Sequence, residues 1–231
     1  MRILAIETST DTGSVALLED GAIIAEKSLR APMQLLSWLA PAISEILEET
    51  GIPLNKIDAI ATGIGPGSFT GVRLELATAK TLAQAARLPL YSVSSLDALA
   101  FQALPFQGTI IACLDAKRSE LYVGLYRADR DKLEVARDYL CLSRENLVNE
   151  ALKLPPPYLL IGETHPHTSF FLDHLPQSQE AAPSKSVVLA SATAVLAEKR
   201  TGAQSGDLYG ISPLYIRLSQ AEIEHAGKHK V

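Results

Sequence analysis

Residues Gly63 to Arg73 read Gly-Ile-Gly-Pro-Gly-Ser-Phe-Thr-Gly-Val-Arg, between the apolar run Ile57 to Ala61 and a helical stretch from Val72 onward. Glycine carries no Cβ and accepts positive φ. A strand that empties into such a loop brings bare backbone against another stretch of chain, or against a phosphate at the helix start. Either use requires strand, loop and helix in that order, which points to an α/β fold.

The flanking periodicities agree. Ile3 to Ile6 reads as a buried strand and Thr8 to Ser14 as a hydroxyl-rich turn. Ser14 to Leu18 and Ala22 to Ser28 form a hairpin about Glu19-Asp20-Gly21. From Gln34 to Glu49, apolar residues recur at three- and four-residue steps, and Gly51 ends that helix. A strand at Ile57 to Ala61, the glycine loop, a helix at Val72 to Ala86, a strand at Leu90 to Val93 and a helix at Ser95 to Gln102 complete the half.

After a break at Pro105 to Gly108 the order starts again. Strands are predicted at Thr109 to Leu114, Leu121 to Tyr126 and Leu133 to Cys141, with Arg127 to Lys132 as a polar turn. A helix at Arg144 to Leu152, a strand at Tyr158 to Ile161 and helices at Thr168 to Leu175 and Val187 to Arg200 follow. The fold class is α/β: two lobes, 1–104 and 105–219, each a mixed sheet with flanking helices, and a polar tail at 220–231. This is the plan of the two-lobed actin-like ATPase (ASKHA, ribonuclease H-like) folds, and it leaves the activity open.

Charge narrows the partners. The chain has 231 residues, 47% of them apolar, and a formal charge of −5, so a broad basic surface for RNA is not expected and any tRNA is held indirectly, through another chain. Cys113 and Cys141 lie far apart with no C-x-x-C spacing, a reducing-compartment pattern without a disulfide framework or zinc site. The first apolar run is cut by Glu7, too soon for a signal peptide or a membrane span, so a cytoplasmic location with no membrane partner is expected.

Two constellations compete for function. Glu7, Thr8, Gly65, Gly67 and Ser68 form a candidate nucleotide-facing loop, which would make the chain an ATPase or small-molecule kinase-like enzyme with phosphate loops at 7–14 and 63–71. Asp115 and Lys117 favour it. The P-loop pattern is absent, and Asp115-Ala-Lys-Arg-Ser lacks the glycine a second phosphate loop needs. The alternative is that the glycines serve close backbone contact and the two helices of the first lobe carry a protein interface.

The string Gly-Pro-Gly-Ser-Phe-Thr-Gly-Val-Arg with Ala77-Thr78-Ala79-Lys80 closely resembles the TsaB (YeaZ) family. The opening Ile-Leu-Ala-Ile-Glu-Thr-Ser-Thr, the stretch Leu114 to Tyr122 and Pro213 to Arg217 resemble it as well. The resemblance implies the actin-like fold and a non-catalytic dimerisation or scaffold subunit. Such a subunit pairs with the paralogue TsaD, and through it with the ATPase TsaE, for threonylcarbamoylation of adenosine 37 in tRNAs reading ANN codons. It implies no cofactor held by this chain, ATP and a divalent metal belonging to the partner subunits, and self-pairing as a homodimer when isolated.

A TsaD-type metal site needs two histidines one helical turn apart, yet residues 1 to 164 contain none. His225 and His229 have that spacing in the polar tail, and His165 and His167 form a loop pair. The chain also lacks the His-Ser pair common in the family where Gln34 to Ser37 stand. A hydrolase would have to recruit a histidine of the last third to Ser9 or Ser68 across the cleft. The expected partner interface comprises Leu35, Trp38, Leu39 and Ile43 on the first helix and Arg73, Leu76, Ala77 and Lys80 on the second, with Glu75 as a further rim charge.

Overall fold

The structure is a computed structural model that describes residues 1–201, 208 and 210–217. The tail, with His225 and His229, lies outside the described residues.

The first sheet is built from β1 (Arg2–Glu7), β2 (Thr12–Glu19), β3 (Ala22–Arg30), β4 (Ala59–Gly63) and β5 (Leu90–Val93), in the order β3-β2-β1-β4-β5. β2 runs antiparallel to β1 and β3, and β4 runs parallel to β1 and β5. Asp20 and Gly21 both hold positive φ, 47° and 82°, which gives the tight turn matched to strand twist. Helices α1 (Leu35–Thr50), α2 (Phe69–Ala86) and α3 (Ser95–Gln102) punctuate this half. Gly51 caps α1 in the left-handed conformation.

The second sheet repeats the plan with β6 (Phe106–Lys117), β7 (Glu120–Arg130), β8 (Lys132–Ser143), β9 (Tyr158–Gly162) and β10 (Ser178–Glu180), ordered β10-β9-β6-β7-β8. β6 is central, antiparallel to β7 and parallel to β9, as β1 is to β2 and β4. Helices α4 (Arg144–Ala151), α5 (Thr168–His174) and α6 (Ala190–Lys199) complete it. The equivalence of the two sheets establishes the actin-like architecture.

Alternation along β1 sets the layers. Leu4 and Ile6 face Leu39, Ile43 and Ile46 of α1 and Leu76 and Ala79 of α2. Ile3 and Ala5 face a central layer in which α3 and α6 lie between the two sheets, joined by Ile110, Ala112 and Leu114 of β6. The outer face of the second sheet is covered by α4 and α5 through Leu147, Val148, Phe171 and Leu175. A strand buried on both faces has no use for polar alternation, hence the unbroken run at Ile3 to Ile6. Small residues, Ala98 and Ala100 on α3 and Ala190, Ala194 and Ala197 on α6, let the middle helices approach both sheets. α6 thus returns to the first sheet, and α3 serves the second.

Several expectations are corrected. Gly108 does not break the chain: it lies within β6 at φ 140°, where a Cβ would meet the Pro157 carbonyl oxygen at 2.3 Å. Arg127 to Lys132 is strand except at its tip, because a hairpin in solvent carries polar residues on both faces. α2 starts a turn before Val72, since Ser68 is its N-cap and accepts the Gly71 amide at 3.3 Å. α6 starts three residues after the expected Val187. β10 gives no sequence signal, being only Ser-Gln-Glu.

Candidate partner face and interlobe cleft

The glycine loop is filled by its own chain. A Cβ on Gly67 would sit 2.2 Å from the Ser9 carbonyl oxygen, and one on Gly71 would sit 1.9 Å from that of Thr8. The Ser68 amide donates to the Ser9 carbonyl at 2.6 Å, and the Thr8 hydroxyl donates to the Gly71 carbonyl at 2.8 Å. Absent side chains therefore let the loop lie flush on the turn after β1. At the N-terminus of α2, where an anion would seek free N–H groups, the Ser9 carbonyl and the Ser68 hydroxyl already accept from two of them.

Beneath the loop lie two carboxyls. Glu7 is fully buried and accepts from the Ser9 amide at 3.1 Å, the Ser95 hydroxyl at 3.2 Å and the Thr193 hydroxyl at 3.4 Å, so one side chain ties β1 to α3 and α6. Gly63 makes room for it, since a Cβ there would meet Glu7 Oε2 at 2.4 Å. Glu75 of α2 is also fully buried, not a rim charge, and accepts the Thr8 amide. Burial, then the Glu7 charge, pushes the Glu75 carboxyl well above its ordinary range. Glu7 is raised by burial and partly restored by its hydrogen bonds. Glu7 receives more donors than Glu75, whose Oε1 has no hydrogen-bond partner among the described residues.

Between the lobes runs a polar cleft of two adjoining cavities, each about 340 Å³, that share Thr10, Asp11 and Glu163. One is lined by Gly67, Ser68, Phe69, Asp115 and Lys117, and the other by Arg30, His165 and Glu180. Burial raises the Glu163 carboxyl. Burial also pushes Asp115 upward, but hydrogen bonds and the charge of Lys117 bring it below its ordinary value. The Lys117 ammonium is committed to Asp115 at 2.7 Å. Three carboxylates around one neutralised lysine do not favour a polyphosphate. Among the described residues, no group of three or more His, Cys, Asp or Glu could hold a metal ion, and no helix is long and apolar enough to cross a membrane.

The sequence places the candidate nucleotide residues together, yet Glu7, Thr8 and Gly65 are buried and Ser68 alone is exposed. His165 lies on the far side of the cleft, and His167 meets the edge of Phe171.

The expected interface residues divide. Leu35, Leu39, Ile43 and Leu76 are buried in the chain's own core. Trp38 is half-buried, and its ring lies where a Cβ on Gly13 would meet it at 2.8 Å, so β2 is its seat. Arg73 and Ala77 are exposed and Lys80 half-exposed. Exposed apolar residues near these helix starts are Met33, 94% exposed, just ahead of α1, Leu36, 76% exposed, in its first turn, and Phe69, 48% exposed, at the start of α2. Leu36 was legible in the spacing, one position off the Leu35, Leu39, Ala42, Ile46 stripe.

A family model described as TsaD, tRNA N6-adenosine threonylcarbamoyltransferase, matches residues 30–225. The tRNA threonylcarbamoyladenosine biosynthesis protein TsaB of Bacillus subtilis is 32% identical over 224 residues, 96% of each chain. TsaB of Escherichia coli is 36% identical over 155 residues, 66% of this chain and 67% of that protein. Among solved structures, a Pseudomonas aeruginosa protein described as similar to the peptidase YeaZ superposes with a TM-score of 0.75 at 26% identity, covering 94% of this chain and 99% of that one.

Proposed function

The chain belongs to the TsaB (YeaZ) family of tRNA threonylcarbamoyladenosine biosynthesis proteins, and from that premise we propose that it is a non-catalytic subunit that pairs with TsaD. The pairing uses the outer face of α1 and α2, and TsaE and tRNA join through TsaD. ATP and a divalent metal are held by the partner subunits, and the complex works in the cytoplasm. An isolated chain uses the same face to form a homodimer.

The observation that carries this reading is the contrast between the two candidate surfaces. The loop that would cradle a phosphate is spent on the chain's own turn, through Gly67 on Ser9 and Gly71 on Thr8. The approach to α1 and its first turn leave Met33 and Leu36 in solvent. Burying a side chain of that size is worth about 1.5–3 kcal/mol, which a partner supplies. On α2, the exposed Arg73 and the half-exposed Lys80 supply the positive charges of the pairing face.

The test is a binding titration of TsaD from the same organism against the wild-type chain and a Leu36→Glu variant. At least a tenfold loss of affinity with unchanged thermal stability is the expected result. Equal affinity would remove α1 from the interface. Phosphate release from ATP by the pure chain would move the reading to the ATPase alternative built on Glu7, Thr8, Gly65, Gly67 and Ser68.

A further inference from the structure

The segment 211–217 crosses from one lobe to the other over the rim of the cleft. Ile211 is buried in the core beneath α1 and α2, and the Leu214 amide donates to the Ile64 carbonyl at 2.8 Å, which fixes this end to the glycine loop. Tyr215 then stacks on Phe69, ring centroids 5.9 Å apart, and its hydroxyl accepts from Arg73 Nε at 3.2 Å. The Arg73 guanidinium lies 3.6 Å over the Phe69 ring. Ile216 packs on the central layer, and Arg217 Nη1 reaches the second lobe, where it donates to Glu120 at 2.9 Å and to the Ala116 carbonyl at 3.4 Å.

The far end of this crossing is strained. Lys117 at the end of β6, and Arg118 and Ser119 in the turn to β7, hold φ of 63°, 57° and 62° in succession. Left-handed backbone costs about 1–2 kcal/mol at each non-glycine residue. Two sets of contacts border that turn: Asp115 accepts the Lys117 amide at 2.7 Å, and Arg217 grips Ala116 and Glu120 on either side of it. Phe69 on one lobe and Ala116 and Lys117 on the other line the same cavity of about 340 Å³. The crossing segment therefore joins both rims of one cleft.

We propose that Ile211–Arg217 is an interlobe strap that couples the start of α2 to the strained β6–β7 turn, so that a change at Phe69 and Arg73 alters the order of the turn and the width of the cleft. Tyr215 and Arg217 stand two residues apart on one short segment, so freeing either end slackens the hold on the other. Coupling of this kind is reciprocal: whatever loosens the turn loosens the helix start by the same free energy. It is a property of the single chain and stands apart from the identity of any partner.

Amide hydrogen exchange on the full-length chain tests it, comparing wild type with Tyr215→Ala, Tyr215→Phe and Arg217→Ala. Tyr215→Ala should speed exchange at the Lys117 amide, which Tyr215 does not touch, roughly fivefold. Arg217→Ala should do the same at the Val72 amide in the first turn of α2. Tyr215→Phe, which keeps the ring stack and loses only the hydroxyl contact, should show a smaller change at Lys117. Leu160 in β9 and Phe171 in α5 serve as controls and should keep their wild-type rates. Effects confined to the neighbourhood of each substitution would overturn the strap, and so would a uniform rise that includes the controls.

Discussion

Ser68 and Ser9 are joined backbone to backbone, the amide of the first donating to the carbonyl of the second at 2.6 Å across a gap that only Gly67 leaves open. That contact decides between the two uses of a glycine-dense loop. A loop held this way is a structural clasp between β1 and α2, and it fixes the direction in which α2 leaves the sheet.

The clasp predicts a hierarchy among glycines. Gly71 is helical, so alanine there costs nothing in backbone freedom, yet its Cβ would stand 1.9 Å from the Thr8 carbonyl oxygen. Gly71→Ala should cost at least about 2 kcal/mol, with displacement of the first turn of α2. Gly51, at φ 66° with nothing within 4 Å, has only the left-handed backbone to lose. Gly51→Ala should cost about 1 kcal/mol. Urea denaturation of the two variants measures the difference.

The Glu7–Glu75 pair predicts an unusual pH dependence. Because the folded pKa of Glu75 is raised, its contribution to stability is complete below the ordinary glutamate pKa and is lost as pH rises toward the folded value. A glutamine keeps the acceptor for the Thr8 amide without the ionisation. Glu75→Gln should therefore stabilise the chain by about 1–2 kcal/mol at neutral pH and give no gain in acid, below the glutamate range. Thermal melts of both proteins across pH 4 to 8 settle it, and a gain that grew in acid would contradict a raised Glu75 pKa.

Asp97 gathers the central layer. It accepts from Tyr126 at 3.0 Å, Tyr139 at 2.7 Å and Arg200 at 3.1 Å, tying α3 to the second sheet and to the end of α6. Removing it leaves two phenols and a guanidinium without their shared acceptor. Asp97→Ala should cost about 3 kcal/mol, whereas Tyr139→Phe, which loses one bond, should cost about 1 kcal/mol. Equal costs would mean that the Tyr139 bond alone carries what Asp97 contributes.

Neighbouring leucines on α1 should behave oppositely. Leu39 is buried against the first sheet, so Leu39→Glu is expected to unfold the chain and cannot report on partner binding. Leu36→Glu should leave the melting temperature unchanged. Circular dichroism melts of the two variants check the assignment of buried and exposed faces before any binding experiment.

Local patterns carried much of the fold. The Asp20-Gly21 turn, the Gly51 cap and the limits of β5 and α3 follow from turn chemistry and periodicity, and the structure places them where the sequence indicates. Long-range placement was not legible. Nothing in Ala190 to Lys199 says that α6 lies against β1 and β2, because an alanine-rich helix fits either sheet. Glu75 looked like a rim charge because glutamate is seldom buried, although it shares the stripe of Val72, Leu76, Ala79 and Ala83 that faces the core. The glycine string was conspicuous, but its use depended on the Thr8 and Ser9 carbonyls that approach it from more than fifty residues away.

The central claim is that this chain acts by pairing and not by turnover. Light scattering on size-exclusion fractions of the chain, alone and mixed with TsaD from the same organism, tests it most directly when read beside threonylcarbamoyl transfer to tRNA. The account predicts a heterodimer, and transfer that requires this chain. Absence of a complex, together with nucleotide hydrolysis by the chain alone, would contradict it.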